Sequence, residues 1–408
     1  MRKFTKVTTL CVMIGLLAVG QAFGAGEKCA AGTKWGGFTT VIPDTTSDGV
    51  YKISSPDELA WFACEVTKRN TASVALNARL TATIDLQGKL FIPIAAGKGT
   101  PSYGGTFDGQ EYTIKNLFID ASEIVKSGNG GNKAFAQNVA LFASIKGGTV
   151  QNLSLESVTI YAASSAGDEG TSGSENPISV GAIAGFVEAG TISGCAASGK
   201  IETSGATNRV GGIAGNVWAA TISNCISEVN IYATGDNTHV GGIVGVVRDK
   251  TGKVTLESCV YAGETLFSNN GSAGAIAGQY EKKGDITSND LYYTSDYPAV
   301  GTGLGSRPFN STQADNLNTE DVICELNGGS WNKDDNTCTG ASPNGVWSEG
   351  QDNLSMNGSD GFKVTFDANE GVFPEGAKTY KFFAKGATIS ADEIENPTYA
   401  DYKFAGWS

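Results

Sequence analysis

The chain has 408 residues, a formal net charge of −13 and 55 glycines. Such acidity excludes nucleic acid or an anionic membrane surface as the main partner, because phosphate binding requires a basic face. The chain has a single histidine, His239, which argues against a metal site or a charge-relay site built on histidines. We therefore expect no cofactor and no resident metal ion.

The first 24 residues have the pattern of a secretory signal peptide. Arg2, Lys3 and Lys6 form a basic end, and residues 7–19 are an apolar run too short to span a membrane. Small residues predict cleavage after Gly24, and no later stretch is apolar enough to cross a bilayer. The loss of three basic residues takes the formal charge from −13 to −16. We expect a secreted or cell-surface protein exported by a Sec-type pathway.

A short amphipathic helix is predicted after an N-terminal segment at residues 25–48. Ser55 supplies a helix cap, and Pro56 suits the first helical position. Its apolar face consists of Leu59, Phe62, Ala63 and Val66. We interpret this helix as a cap on the repeats that follow, because a stack of repeats must cover its open strand edges.

Four copies of one phrase, of the form Val-Gly-Gly-Ile-Ala-Gly, occur in the middle of the chain. They begin at Val180, Val210, Val240 and Ala273, so their spacings are 30, 30 and 33 residues. A fixed period of this length predicts a stack of equivalent units. Short apolar alternations between turn residues then favour three strands of about six residues per repeat. The predicted fold is all-β: a right-handed parallel β-helix over residues 49–300.

Two degenerate repeats precede the four clear ones. Val139 begins a weakened phrase, and residues 105–117 read as a still earlier turn of the stack. The interval from Val139 to Val180 is 41 residues, and we assign the excess to a polar loop at residues 164–177.

Three of the seven cysteines that follow the signal peptide share one position in consecutive repeats: Cys195, Cys225 and Cys259. A row of three thiolates could bind a metal. Parallel strands, however, stack identical residues as a rule, and small apolar side chains suit a buried position. We therefore favour an inward-facing core ladder.

The remaining cysteines suggest two disulfides. Cys324 and Cys338 flank a turn-rich loop within a cap or linker at residues 301–360, where a local disulfide would stabilise by about 3 kcal/mol. Cys29 and Cys64 are left as a second pair. A brief helix is also expected at residues 319–326, before Gly328 and Gly329.

The glycine phrase, its 30-residue spacing and the Thr-Ile-Ser-x-Cys strand that follows it resemble the GLUG repeat of bacterial surface and secreted proteins. Residues 51–59 and 105–109 are similar to the lead-in of such repeats, so the resemblance covers about residues 49–300. It implies an adhesin-like protein. GLUG repeats also occur beside the protease domain of some IgA-cleaving metalloenzymes, but no His-Glu-x-x-His pattern is present here.

Residues 361–408 resemble the Listeria–Bacteroides repeat, also called the internalin B-type repeat. The resemblance rests on Phe362–Gly371, on residues 396–398 and on Tyr402–Trp407. It implies a small β-grasp-like module of secreted and wall-associated proteins. Asp401 departs from the glycine usual there, and the chain stops at Ser408 before the further strands of the module. We expect a partial repeat and a truncated sequence.

For function, the sequence favours non-enzymatic recognition of a polysaccharide or of a surface protein. Trp218, at the turn after a glycine phrase, could stack on a sugar ring or pack into a partner, or simply cover the edge of the repeat. The rival is a polysaccharide lyase or hydrolase, which would need two facing carboxylates. Asp85 and Asp108 are candidates, although Asp108 reads more simply as a turn residue. A third hypothesis is that the protein is a passive spacer.

Overall fold

The structure, a computed structural model, describes residues 28–69, 71–96, 101–126, 137–163, 178–205, 208–248, 252–281, 286–303, 309–317, 319–327, 329–333, 336–341, 347–349, 354–356, 362–365 and 380–383. The predicted signal peptide, the loop at residues 164–177 and nearly all of the internalin-type repeat lie outside the described residues.

The described chain is mostly strand, with three helices: α1 (Pro56–Arg69), α2 (Ala121–Lys126) and α3 (Glu320–Leu326). The strands before the first clear repeat are β1 (Lys34–Trp35), β2 (Phe38–Thr39), β3 (Tyr51–Ile53), β4 (Ala78–Leu80), β5 (Ile84–Asp85), β6 (Thr106–Asp108), β7 (Thr113–Lys115), β8 (Phe118–Asp120), β9 (Asn138–Val139), β10 (Phe142–Lys146), β11 (Thr149–Gln151) and β12 (Ser154–Ala163).

The strands of the clear repeats and beyond are β13 (Ile178–Val180), β14 (Ala184–Glu188), β15 (Thr191–Ser193), β16 (Ala196–Ser204), β17 (Asn208–Gly211), β18 (Ala214–Trp218), β19 (Thr221–Ser223), β20 (Ile226–Gly241), β21 (Val244–Arg248), β22 (Val254–Tyr261), β23 (Leu266–Gly274), β24 (Ala277–Glu281), β25 (Ile286–Tyr293), β26 (Val300–Gly303), β27 (Ser311–Gln313), β28 (Ser330–Asn332), β29 (Thr337–Thr339), β30 (Trp347–Glu349), β31 (Leu354–Met356), β32 (Phe362–Thr365) and β33 (Tyr380–Phe383).

Two large sheets contain most of these strands, and their pairs are parallel. The smaller sheet has six strands in the order β10, β14, β18, β21, β24 and β26, and the larger has 19. Equivalent residues of successive repeats pair directly: Ala184 pairs with Ala214, which pairs with Val244. Residues that lie one sequence period apart therefore pair with each other in neighbouring strands of the sheets. The predicted all-β class is confirmed at this level.

Strand lengths within a repeat differ from the expectation of three strands of about equal length, which was wrong. In one repeat β18 has 5 residues, β19 has 3 and β20 has 16. The cause is local backbone geometry. Ala219 and Asn224 adopt left-handed φ values of 49° and 51°, so two bends enclose the short strand β19. No such close pair of bends interrupts β20.

The glycine phrase forms a tight corner between the two sheets. In the repeat at residues 210–215, Val210 and Gly211 end β17 and Ala214 begins β18. A Cβ on Gly211 would lie 2.0 Å from the carbonyl oxygen of Ala214, and one on Gly215 would lie 2.4 Å from the backbone nitrogen of Val180. Because these neighbours are backbone atoms, neither position accepts a side chain.

Helix α1 covers the first strands as the sequence predicted. The Ser55 hydroxyl accepts a hydrogen bond from the Glu58 N–H at 3.3 Å, which caps the first turn. The four predicted apolar residues are fully buried. Phe62 connects the helix to the core, since its ring centroid lies 6.0 Å from that of Tyr103 and 5.9 Å from that of Phe107.

Both disulfides expected from the sequence are present: Cys29 is bonded to Cys64, and Cys324 to Cys338. The first ties the N-terminal segment to α1, and the second ties α3 to β29. They close loops with sequence separations of 35 and 14 residues. Loop-closure entropy then gives about 4 and about 3 kcal/mol of stabilisation, respectively.

We predict that Gly241→Ala destabilises the protein by about 1–3 kcal/mol, the usual cost of overpacking. The new Cβ would lie 1.9 Å from the carbonyl oxygen of Val244, and a backbone atom cannot rotate away. Denaturant unfolding measures the loss as a lower midpoint. Ala219→Gly, at a left-handed position, is the control and should change stability by less than about 1 kcal/mol. An unchanged midpoint for Gly241→Ala would contradict this account of the corner.

Candidate functional site

A groove of about 290 Å³ opens on the outer face of the larger sheet. We call it the tyrosine groove. Its lining residues come mainly from β12, β16 and β20 and from the start of α2, and they are Asp120, Ser122, Tyr161, Ala162, Ala163, Glu202, Thr203, Ser204, Tyr232 and Thr234.

Strand register aligns the principal groove residues in one row. Asp120 pairs with Tyr161, Tyr161 with Glu202, and Glu202 with Tyr232. Neighbouring members are therefore one strand spacing apart, about 4.8 Å, and the two tyrosines are about 10 Å apart. Phe267 continues the row beyond Tyr232, outside the groove lining.

Alternation along the strands turns this row outward. The preceding residues Ile160, Ile201 and Ile231 are fully buried in the core. Their successors therefore point to the opposite face of the sheet. Tyr232 is 42% exposed, so much of its ring is available to a ligand.

Neighbouring side chains hold Tyr161 in place. The Phe118 ring packs edge-on, with centroids 6.2 Å apart and an interplanar angle of 73°. The Lys200 ammonium lies 5.2 Å from the Tyr161 ring centroid and 3.0 Å from Glu202 Oε1. Hydrogen bonding to Tyr161, and then to Glu202, raises the pKa of Lys200 above its usual value.

Both carboxylates of the groove already have structural partners. Asp120 Oδ1 accepts hydrogen bonds from the Ser122 N–H and hydroxyl at 2.9 and 2.7 Å, and from the Glu123 N–H at 3.2 Å, which starts α2. Glu202 is held by Lys200. Their spare lone pairs remain acceptors for hydroxyl groups. The groove thus combines two aromatic rings with acceptors for hydroxyl donors.

Sequence reasoning missed this row. The signal was present in the pairs Ile201-Glu202 and Ile231-Tyr232, where a core residue precedes an outward one. Tyr161 belongs to the same series, because the spacing is 22 residues from Val139 to Tyr161, from Val180 to Glu202 and from Val210 to Tyr232. Although the register of β12 with β16 shifts between Leu155 and Val158, a count from the start of the glycine phrase therefore brings Tyr161 opposite Glu202.

Trp218, the residue that the sequence proposed for ligand binding, does not line the tyrosine groove. It ends β18, in register with Glu188 and Arg248 as the repeat alignment indicated. The indole is half-buried, and its ring centroid lies 4.9 Å from that of Phe186 at an interplanar angle of 85°. Part of the indole surface therefore covers the sheet, and part faces solvent.

Asp85 and Asp108, the candidate catalytic carboxylates, both bind turn residues. Asn116 Nδ2 donates to Asp85 at 2.8 Å and lowers the pKa of that carboxyl. Asp108 accepts bonds from Gln110, Gln151 and Asn152. Burial opposes ionisation of Asp108, but these bonds outweigh it and lower its pKa. Neither carboxyl suits a general acid, which needs a raised pKa.

The three aligned cysteines lie in the core, each with an exposure of 0%. Each Sγ donates to the carbonyl two residues earlier, at 3.3 Å for Cys195, 3.1 Å for Cys225 and 3.3 Å for Cys259. Burial raises the pKa of the Cys225 thiol well above its usual value. Within the part of the chain that the structure describes, no group of three or more histidine, cysteine, aspartate or glutamate side chains is arranged to hold a metal ion.

Comparison with known proteins gives little further identification. No family model matches the chain. No curated protein matches it either. Among solved structures, the chain is similar to a putative immunoglobulin A1 protease from Bacteroides ovatus, with 17% identity, 72% of this chain and 92% of that chain covered, and a TM-score of 0.41. Across the described residues, no helix is long and apolar enough to cross a membrane.

We predict that the thiols of Cys195, Cys225 and Cys259 do not react with a thiol reagent while the protein is folded. Burial excludes the reagent, and the raised pKa of Cys225 suppresses the reactive thiolate. Absorbance titration should detect these three thiols only after denaturation. Rapid modification in native buffer, or its slowing by added zinc, would instead indicate an accessible thiolate site.

Proposed function

We propose that the chain is an exported, non-enzymatic recognition protein of the bacterial cell surface, and that its tyrosine groove binds polysaccharide. The carrying observation is the outward row in which Tyr161 and Tyr232 alternate with carboxylates. Aromatic rings stack on the apolar faces of sugars, and carboxylates accept bonds from sugar hydroxyls. Two rings about 10 Å apart could each contact one unit of an extended glycan.

We further propose that the two sheets are walls of a right-handed parallel β-helix of GLUG-type repeats. Support comes from the register, since strands of successive repeats pair in parallel in both sheets at the 30-residue period. A connection between parallel strands of one sheet is right-handed in about 98% of cases. On this reading residues 49–300 form the solenoid, residues 301–360 its cap or linker, and residues 361–408 a partial internalin B-type repeat.

Export is supported by the chemistry of the cysteines. Two disulfides persist in an oxidising compartment and are rare in the cytosol. The start of the sequence, with its basic end and apolar run, has the pattern of a signal peptide that would direct export and be cleaved after Gly24.

A glycan-cleaving enzyme is the alternative that one observation favours, because Asp120 and Glu202 line the same groove. Register separates their backbones by two strand spacings, about 10 Å, close to the separation used by inverting glycosidases. We favour binding over catalysis because Asp120 caps α2 and Glu202 pairs with Lys200. A catalytic pair needs one carboxyl free to donate a proton.

We predict that the protein binds at least one member of a panel of insoluble polysaccharides, and that Tyr232→Ala weakens this binding by about 5- to 30-fold. Loss of one stacking aromatic costs about 1–2 kcal/mol. Co-sedimentation measures binding, and a reducing-sugar assay of the supernatant measures cleavage. Phe267→Ala is the matched control, because Phe267 is similarly exposed, at 43%, but lies outside the groove lining.

The results of these assays distinguish polysaccharide binding, catalysis and a protein ligand or spacer role. Release of sugar that stops in Glu202→Gln would overturn the non-enzymatic assignment. Equal weakening by Phe267→Ala and Tyr232→Ala would contradict the groove as the binding site. No binding to any polysaccharide would contradict the proposal and favour a protein ligand or a spacer.

A further inference from the structure

The glycine phrase also brings strands of neighbouring repeats into close contact at the corner between the sheets. A Cβ on Gly245 would lie 2.8 Å from the carbonyl carbon of Arg209, and one on Gly278 would lie 2.7 Å from that of His239. The incoming strand of one repeat therefore contacts the outgoing strand of the next. The backbone of Arg209 thus lies beside β21, which carries Arg248, and the backbone of His239 lies beside β24, which carries Glu281.

We call this surface the arginine corner and define it by Arg209, His239, Asn216, Trp218, Arg248 and Glu281. The residue Val246, on its floor, shows how enclosed it is. Val247 of β21 belongs to the main core cluster whereas Val246 does not, and yet the exposure of Val246 is 0%. Neighbouring residues therefore exclude Val246 from solvent.

Arg209 is a cation with only partial compensation in this corner. Its side chain is half-buried, and its guanidinium has no hydrogen bond or ion pair among the residues that the structure describes. Burial, reinforced by Arg248 and opposed by Glu281, lowers the pKa of Arg209 to about 10. Removing a charge from water without pairing it is unfavourable, so the site gains from a bound anion.

The other charges of the corner leave a positive excess. Arg248 Nη2 pairs with Glu281 Oε1 at 2.7 Å, which neutralises one arginine. His239 Nδ1 lies 2.8 Å from the Ser272 hydroxyl. Two arginines therefore face a single glutamate in a chain with a net charge of −13, which makes this local excess an exception on an acidic surface.

A neutral polar group next to these charges also has no partner. Asn216 is 4% exposed, and its Oδ1 forms no hydrogen bond within the described chain. It pairs in register with Val246, so it belongs to the same outward row of the corner. Trp218, two residues later, pairs in register with Arg248, and its indole is half-buried.

We propose that the arginine corner binds the carboxylate of an acidic sugar, with Arg209 as its principal ligand. A guanidinium and a carboxylate form a bidentate pair. The adjacent Trp218 indole offers a surface for the sugar ring. This site is separate from the tyrosine groove, whose own carboxylates disfavour an acidic sugar.

His239 provides a specific probe, because it is the only histidine in the chain. In the free protein its pKa is lowered by burial and then by Arg209 and Arg248, while Glu281 opposes them. A bound carboxylate favours the imidazolium and should raise the pKa of His239. Binding should therefore strengthen as the pH falls through the range in which His239 titrates.

The experiment titrates the untagged protein with sodium glucuronate and follows the His239 imidazole by NMR. We expect a saturable shift of the signal and a raised His239 pKa, whereas glucose at the same concentration has no effect. Arg209→Gln should weaken glucuronate binding by about 10-fold or more, the usual effect of losing a charge-assisted bond. Arg209→Lys, which keeps the charge but loses the bidentate fork, should give an intermediate loss.

Three controls make the test specific. In the free state, Arg209→Gln should itself raise the His239 pKa, which shows that the variant is folded around the corner. Arg79→Gln removes the same charge from β4 and should leave glucuronate binding unchanged. Tyr232→Ala should also leave it unchanged, so failure of the tyrosine groove does not affect the result.

Three results would overturn the assignment. These are an equal response to glucose, glucuronate binding that persists in Arg209→Gln, or tighter binding of a glutamate-containing peptide than of glucuronate. The last would assign the corner to an acidic protein segment.

Discussion

The close approach of backbone to backbone at the glycine corner is the constraint on which the remaining structure depends. Gly211 contacts the Ala214 carbonyl and Gly215 contacts the backbone of the previous repeat, with no space for a Cβ. Glycine therefore recurs at these two positions in all four phrases. The third position tolerates alanine, as at Ala182 and Ala275. Each corner fixes where one strand stops and the next begins, and so fixes the register of both sheets.

Register in turn creates the two candidate sites. On the face of the larger sheet, parallel pairing brings Asp120, Tyr161, Glu202 and Tyr232 into one row although they are far apart in sequence. At the corner, the backbone of Arg209 lies against Gly245 of the next repeat, and the Arg209 side chain is half-buried. The same backbone arrangement thus underlies both the tyrosine groove and the arginine corner that we propose as binding sites.

Much of the fold was predictable from particular residues. Pro56 after a serine cap predicts α1, and the recurrence of the glycine phrase predicts the parallel pairing of β14, β18, β21 and β24. These features depend on local backbone chemistry and on a period visible in the chain. Strand lengths were not predictable in the same way, because residues without a distinctive propensity, such as Ala219, adopt the left-handed backbone at the bends.

The sequence by itself determined the class of structure, the period and the helix α1, because each follows from a local pattern. It also predicted that Glu188, Trp218 and Arg248 occupy equivalent positions in successive repeats, because each lies at the same distance from its glycine phrase. Only the tertiary structure decided which outward residues share a surface. Pairing of β8 with β12 brings Asp120 opposite Tyr161, and the close approach of Gly245 to the backbone of Arg209 places β17 beside β21. Both depend on contacts between repeats, which no single segment of the chain contains.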